Sequence, residues 1–155
     1  MAELVEDTVR EILEEVVAGL GLTGTVAVER DHEVVTGTVE GEDLGLFIGR
    51  HGQTIDAVQH LIFRIALARG AGDEGDLRVV IDAEGYRARR AEALQRVADQ
   101  AAEDARRYGR PVALDAMTAS ERKLVHEYLR DRGGVETYSE GEEPDRHLVV
   151  APLVV

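Results

Sequence analysis

The sequence predicts an α+β protein made of two small domains that follow each other directly. Apolar residues recur at helical spacing in several segments, and short runs rich in β-branched residues lie between those segments. Glycine-containing turns separate them, and no long linker or low-complexity stretch interrupts the chain. At 155 residues and 44% hydrophobic content, the chain is long and apolar enough to form two small cores.

The first domain, residues 1–83, is predicted to have the order helix, strand, strand, short helix, helix, strand. Its first helix is amphipathic, and its first two strands form a hairpin around a turn at residues 30–32. The predicted bounds of the first helix, the hairpin strands, the long helix and the last strand are 3–20, 25–29, 33–39, 53–69 and 77–82. The apolar face of the 53–69 helix is predicted to consist of Ile55, Val58, Leu61, Ile62 and Ile65.

The second domain, residues 84–155, is predicted to have the order helix, strand, helix, strand, strand. Gly109 and Pro111 end its long first helix, and Thr118 and Glu121 have the spacing of a capping box at the start of the next helix. The predicted bounds of the long helix, the strand after it and the final hairpin strands are 84–108, 111–117, 135–139 and 147–151. The narrow apolar stripe of the long helix is predicted to consist of Tyr86, Leu94, Val97, Ala101 and Ala105.

The composition argues against an enzyme or a metalloprotein. The chain has no cysteine, which excludes disulfides, zinc-thiolate sites and thiol catalysis. Its five histidines lack the spacing of metal ligands, and no grouping of serine, histidine and acid indicates a nucleophile. Gly45, Gly49 and Gly52 do not match a dinucleotide-binding loop, and no lysine follows them to form a triphosphate-binding loop. We therefore expect a non-enzymatic protein without a cofactor or metal.

The N-terminal residues, the lack of a long apolar run and the absence of cysteine predict a cytoplasmic protein with no membrane segment. Acids stand where a signal peptide would carry bases, and no run approaches the ~20 apolar residues of a membrane span. The formal net charge is -13, but residues 1–48 hold 12 acids and 2 bases, whereas residues 49–155 hold 19 acids and 16 bases. Because salt screens exposed charges over ~8 Å, the later part of the chain can still present a basic face.

One short motif has features of an anion-binding loop. Gly49, Arg50, His51 and Gly52 join a short helix to the start of a long one. Glycines let a backbone approach a ligand closely, and a helix N-terminus offers free N–H groups and partial positive charge. Arg50 and His51 add side-chain donors. Taken alone, the four residues favour the simpler alternative, which is a helix-helix turn with solvated side chains.

The order of helices and strands around residues 49–52 favours a binding loop over a simple helix-helix turn. Residues 3–82 resemble a KH domain of the bacterial, type II arrangement, in which a G-x-x-G loop lies between a short and a long helix. In that family the loop clamps the sugar-phosphate backbone of about four nucleotides, beside an apolar groove for bases. The resemblance implies that Gly49, Arg50, His51 and Gly52 form the clamp. It implies that the groove is bordered by Ile48, Gln53, Thr54 and Ile55.

A second candidate surface lies on the helix that follows the capping box. Arg122 and His126 are four residues apart and so share one face, at the edge of the arc that is predicted to pack on the core. Lys123 and Arg130 are predicted on the exposed side. An isolated R-x-x-x-H pattern is more often an ordinary polar helix face.

The sequence around Arg122 and His126 is more specific than the R-x-x-x-H pattern itself. The segment "MTASERKLVHEYLRDRGGVETYSEGEEPDRHLVVAPL" resembles the R-three-H domain, which is named for an arginine and a histidine separated by three residues. The likeness extends back to about residue 84 and implies that Arg122 and His126 contact nucleic acid. Tyr138 is predicted to be exposed by strand alternation. Further bases expected to support binding are Arg87, Arg89, Arg90, Arg106, Arg107, Arg110 and Arg146.

A KH domain followed by an R-three-H domain is the arrangement of the Jag family, also called KhpB, of bacterial RNA-binding proteins. We expect this chain to lack the additional N-terminal domain that members often carry. The resemblance implies a single-stranded RNA-binding protein, an RNA chaperone or post-transcriptional regulator linked to cell elongation and division. Two alternatives stay open, which are an adaptor that pairs with another KH protein or with itself, and a single-stranded DNA-binding protein.

Overall fold

A computed structural model describes residues 2–154 and divides the chain into two units, the first ending at Arg87 and the second beginning at Ala88. The predicted α+β class and the predicted order of elements are confirmed. The first unit contains α1 (Ala2–Gly19), β1 (Gly24–Asp31), β2 (Val34–Gly41), α2 (Gly45–Ile48), α3 (Gln53–Ala68) and β3 (Arg78–Ala83). The second contains α4 (Tyr86–Tyr108, which begins in the first unit), β4 (Val112–Ala113), α5 (Ala119–Arg132), β5 (Val135–Glu140) and β6 (His147–Pro152).

The sheet of the first unit has the order β1-β2-β3. β1 and β2 are antiparallel, and their pairing continues to Asp31 opposite Val34, so the turn lies at residues 32–33 and not at 30–32 as predicted. β3 returns parallel to β2, with Val35 opposite Val79. The parallel return places α2 and α3 in the connection between β2 and β3.

Helices α1 and α3 cover this sheet and bury a continuous apolar core. Its largest fully buried side chains are Phe47, Leu13, Ile55, Ile62 and Ile81. The prediction was wrong for Leu61, which is 51% exposed. Ile55, Val58 and Ile62 follow the helical period, and Leu61 lies one residue, or about 100°, away from Ile62 and so falls outside the buried arc.

The boundary between the units lies a few residues later than the predicted one after residue 83. Tyr86 packs against the first core, and Arg87 is held by three acceptors of the first unit. The Arg87 side chain donates from Nε to the Ile81 carbonyl at 2.7 Å, and from its terminal nitrogens to Asp56 and Gln59, both at 3.0 Å. The first two residues of α4 therefore belong to the first unit.

The second unit is built on a sheet of order β4-β6-β5, in which β6 is central and pairs antiparallel with both neighbours. The predicted strand at 111–117 contributes only Val112 and Ala113 to the ladder. Its later residues stay beside β6, where the Leu114 N–H donates to the Leu148 carbonyl at 2.9 Å. Leu114 and Met117 then enter the core.

Helix α4 meets the second core through small side chains. Its buried residues in this unit are Leu94, Ala98, Ala101, Ala102 and Ala105. The predicted stripe was wrong at Val97, which is 49% exposed, because the alanine face turns it toward solvent. Tyr128 of α5 donates to both carboxylate oxygens of Asp99 on α4, at 2.8 and 2.9 Å, and this contact raises the pKa of Tyr128. Within residues 2–154, no helix has the length and apolar character needed to span a bilayer.

The capping box predicted at the start of α5 is confirmed. The Thr118 hydroxyl accepts from the Glu121 N–H at 3.3 Å, and the Glu121 carboxylate accepts from the Thr118 N–H at 3.4 Å. Glu121 also accepts from Arg90 Nε at 2.7 Å. Because Glu121 is only 9% exposed, this ion pair holds the first turn of α5 against α4.

Candidate nucleic-acid interface

The glycine loop, Gly49–Gly52, makes a sharp turn between α2 and α3. Gly49 has φ 75° and ψ 177°, a conformation that is essentially restricted to glycine. His51 (φ 53°) and Gly52 (φ 80°) both lie in the left-handed region. Three of the four residues therefore have positive φ, and a regular helix cannot continue through the loop.

We expect Gly49→Ala to destabilise the first unit by about 3 kcal/mol, since this conformation alone costs a non-glycine residue ~1–3 kcal/mol. A Cβ at this position would also lie 2.3 Å from Thr54 Oγ1 and 2.8 Å from the Thr54 backbone nitrogen. Urea unfolding would measure the loss. Gly45→Ala is the matched control, because a Cβ there meets nothing within 4 Å. Equal stability of the two variants would contradict this description of the loop.

Arg50 and His51 both lie exposed at the tip of the loop. Within residues 2–154, neither side chain makes an ion pair or a side-chain hydrogen bond, so both are available to a ligand. Gln53 is exposed and Ile48 and Thr54 are partly buried, whereas Ile55 is fully buried in the core. Ile55 can therefore support the surface beside the loop from below, but it does not line it.

The N-terminus of α3 directly follows this tip. Gly52 occupies the N-cap position and supplies no side-chain cap. The acid in the first turn of α3 is Asp56, and its ion pair with Arg87 at 3.0 Å compensates its charge. The partial positive charge of the helix end is thus left to attract an anion.

Tyr86 and Arg87 were not recognised from the sequence as part of the loop's support. The Tyr86 ring lies against Gly52, where a Cβ would be 2.8 Å from its hydroxyl oxygen and 3.0 Å from a ring carbon. Arg87, expected as a supporting base for ligand binding, instead binds groups of its own unit.

The second candidate surface, the α5 groove, lies between α5 and the final hairpin. It has a volume of about 400 Å³. Its lining contains three predicted site residues, Arg122, Lys123 and His126, and the hairpin residue Tyr138. The remaining lining residues are Ala119, Thr137, Ser139 and Leu148. Arg130 is exposed on the same helix but does not line the groove.

Arg122, which was predicted at the edge of the core-facing arc and as a nucleic-acid contact, is buried and only 8% exposed. From one terminal nitrogen it donates to the Met117 carbonyl at 2.6 Å and to the Arg146 carbonyl at 3.4 Å. From the other it donates to Glu143 at 2.6 Å. The guanidinium thereby connects the start of α5 to the turn between β5 and β6.

The exposed groups of the α5 groove come from both of its walls. His126 is exposed and its Nδ1 is hydrogen-bonded to the Thr137 hydroxyl, which fixes the ring against β5. Lys123 is highly exposed and lies 4.0 Å from Glu127, a distance typical of a weak surface pair. Tyr138 is 46% exposed, which confirms the expectation from strand alternation. The groove combines a cation, an imidazole and a phenol ring.

Both units match known domain families. Residues 6–81 match the family model of the KhpA/KhpB KH domain, which contains the glycine loop. Residues 92–152 match the family model of the R-three-H domain, which contains the α5 groove. Both are non-enzymatic binding domains, as expected from the composition. The predicted identity and order of the two domains are confirmed.

Curated relatives show the same pairing of domains. The RNA-binding protein KhpB of Clostridium symbiosum is 33% identical over 96% of this chain and 67% of its own length. The proteins of the same name from Lactiplantibacillus plantarum and Bacillus subtilis are 39% and 35% identical, over 88% and 81% of this chain. The alignments cover 41% and 60% of those two proteins, so the chain spans about two fifths to two thirds of the length of these relatives. The chain therefore belongs to the KhpB family, also called Jag.

Proposed function

We propose that this chain binds single-stranded RNA, with the glycine loop as the backbone clamp. The observation that carries the proposal is the pair of exposed side chains, Arg50 and His51, without ion-pair partners in residues 2–154 and directly before the uncapped N-terminus of α3. The relatives are named RNA-binding proteins, which supports RNA as the ligand. In this mechanism Arg50 and His51 donate to phosphate oxygens while the helix end stabilises the same negative charge.

The clamp positions the strand, and base recognition requires a second feature. Phosphate contacts carry no sequence information, so specificity depends on bases that lie beside the loop. Ile48, Gln53 and Thr54 supply an apolar side chain and two hydrogen-bonding groups at that surface. We assign them to base contacts and Ile55 to the support beneath them.

The α5 groove contributes a second, weaker contact in this proposal. His126, Lys123 and Tyr138 present donors and a ring to the ligand, and Arg130 adds charge nearby. Arg122 does not contact the ligand in this proposal. It holds the walls of the groove in place, because its buried guanidinium is bound to Met117, Glu143 and Arg146. Two modest sites on one chain raise the effective concentration of the second binding event. Regulation of cell elongation and division would follow from the RNAs that are bound.

A specific observation also supports pairing with another KH protein or with a second copy. Leu46 and Leu61, both in the first unit, are 66% and 51% exposed. Exposed leucines of this size are available for a protein contact, although single ones are also common on ordinary surfaces. Such pairing is compatible with RNA binding, because neither leucine belongs to the clamp.

A salt titration with a fluorescent 12-nucleotide RNA tests the proposed function. We expect affinity to fall as salt rises, with a slope of about -2 to -3 in a log-log plot if three or four phosphates are neutralised. A DNA strand of the same sequence is the comparison ligand, and a double-stranded RNA is the negative control. Binding that is insensitive to salt would contradict the clamp, and tighter binding of DNA would reassign the ligand.

A further inference from the structure

The end of α4 presents an exposed tyrosine surrounded by arginines. Tyr108 is 58% exposed. The guanidinium carbons of Arg107 and Arg110 lie 5.5 and 5.8 Å from the centre of its ring, within the distance of a cation-π contact. Residues 106–111 form an unbroken exposed run, "RRYGRP". We call Tyr108 with Arg106, Arg107 and Arg110 the Tyr108 platform.

The arginines of the platform have no carboxylate partner in the described part of the chain. Elsewhere Arg69, Arg90 and Arg122 pair with acids at 2.8, 2.7 and 2.6 Å. Three arginines without acid partners, within five residues of one another, form a local group of bases in a chain with net charge -13. The group therefore offers local positive charge that the protein itself does not neutralise.

The platform is separate from the α5 groove. Arg106 lies against Gly134, where an added Cβ would be 3.0 Å from its Nη1 atom, so the platform adjoins the start of β5. The groove residues of α5 are confined to its first half, residues 119–126. None of the residues that line the groove belongs to the platform, so the two surfaces share no residue.

Helix stabilisation explains only part of this arrangement. Bases in the last turn of a helix favour its negative dipole end, and Arg106 and Arg107 occupy that turn. The dipole does not account for an exposed aromatic ring with a guanidinium from beyond the helix, Arg110, placed over it. An exposed ring among cations is instead the arrangement by which proteins hold unpaired bases together with their phosphates.

We propose that the Tyr108 platform is an additional contact for single-stranded RNA, in which an unpaired base stacks on Tyr108 or a neighbouring guanidinium. Arg106, Arg107 and Arg110 bind the adjoining phosphates. The inference rests on the proposed RNA-binding function and extends it to a surface outside the glycine loop and the α5 groove. Sequence preference at this contact is weak, because every base offers a face for stacking.

Tryptophan fluorescence tests the platform directly, because the sequence contains no tryptophan. In Tyr108→Trp, a 15-nucleotide oligouridine is expected to quench the indole emission in parallel with the binding followed by anisotropy of labelled RNA. Val97→Trp is the matched control, since Val97 is 49% exposed on the same helix and outside the platform. Its emission is expected to stay unchanged when the same RNA binds.

Affinity measurements complete the test. Tyr108→Ala is expected to weaken binding about tenfold, whereas Tyr108→Phe, which keeps the ring, retains parental affinity. RNA binding with no quenching at position 108 and equal affinity of the two variants would overturn the platform and leave the proposed function intact. Absence of RNA binding by the parent protein would overturn the proposed function, and the platform with it.

Discussion

Replacing Arg50 and His51 together by aspartate is expected to weaken the binding of a short single-stranded RNA at least about a hundredfold. Each side chain is expected to make a charge-assisted hydrogen bond to phosphate, worth roughly 1.5–3 kcal/mol. Two such bonds correspond to ~3 kcal/mol or more, and the new carboxylates add repulsion to the same phosphates. Fluorescence anisotropy with a labelled 12-nucleotide RNA measures the loss.

The variant is expected to keep its fold. Both side chains are exposed and make no ion pair within residues 2–154, so their removal leaves no buried group without a partner. His51 has φ 53°, and aspartate is among the residues that tolerate this left-handed conformation best. The midpoint of thermal unfolding should therefore stay within about 2–4 °C of the parent, which corresponds to a change of ~0.5 kcal/mol.

The matched control is the double variant His60→Asp and Arg64→Asp. It makes the same two changes of residue type in the same unit, at exposed positions on α3. Arg64 pairs with Glu74 at 3.6 Å, and both side chains are exposed, so little stability is lost with it. If the control weakens RNA binding as much as the loop variant, the effect is one of overall charge and the glycine loop is not the clamp.

The loop itself could be predicted from the sequence because its determinants are local. Glycines at two positions three apart, between helical periodicities, fix a turn with positive φ whatever lies around it. The exposure of Arg50 and His51 follows from the same turn, because both lie at its tip. The family resemblance then indicated what kind of ligand such a turn would bind.

The contacts that support the loop depend on tertiary structure and could not be predicted in this way. Arg87 is separated from its partner Asp56 by 31 residues, and nothing in either local sequence indicates that they pair. Tyr86 was assigned to a helix of the second domain, whereas its ring packs on Gly52 of the first. Long-range partners of long side chains are fixed by the packing of whole elements, which residue spacing does not encode.

For Arg122, the sequence predicted the position on the helix but not the burial of the side chain. Helical spacing correctly places it at the edge of the core-facing arc of α5, next to His126. Spacing does not reveal that the turn between β5 and β6 folds over this edge and provides acceptors from Glu143 and Arg146. A residue at the rim of a helix face is exposed or buried according to what a distant loop covers.

We therefore expect Arg122→Ala to act first on stability. Removing one partner of a buried ion pair typically costs ~3–5 kcal/mol. The Glu143 side chain is 60% exposed, so water can solvate it again after the change. The expected cost therefore lies at the lower end of this range. The Met117 carbonyl also loses its donor at 2.6 Å. A loss of about 3 kcal/mol lowers the unfolding midpoint of a domain of this size by roughly 12–24 °C.

Three companion variants separate stability from binding. Arg130→Ala removes an exposed arginine of the same helix, 3.9 Å from Asp131, and should leave the unfolding midpoint unchanged. His126→Ala should weaken RNA binding with little loss of stability, because His126 is exposed. Arg122→Lys should recover only part of the midpoint, since an ammonium cannot reproduce the fork that reaches Met117 and Glu143 together.

The decisive comparison is made at a temperature where Arg122→Ala is still folded. If the guanidinium acts by positioning, folded Arg122→Ala retains most of its RNA affinity, and hydrogen exchange at the Asp145 amide, which donates to the Glu142 carbonyl at 2.9 Å, becomes faster. If Arg122→Ala unfolds like the parent protein but binds RNA far more weakly, Arg122 leaves its internal partners to contact the ligand. In that case the arginine and the histidine of the R-three-H pattern both contact RNA. The internal contacts of Arg122 instead assign it to supporting the fold, and leave RNA contact to His126.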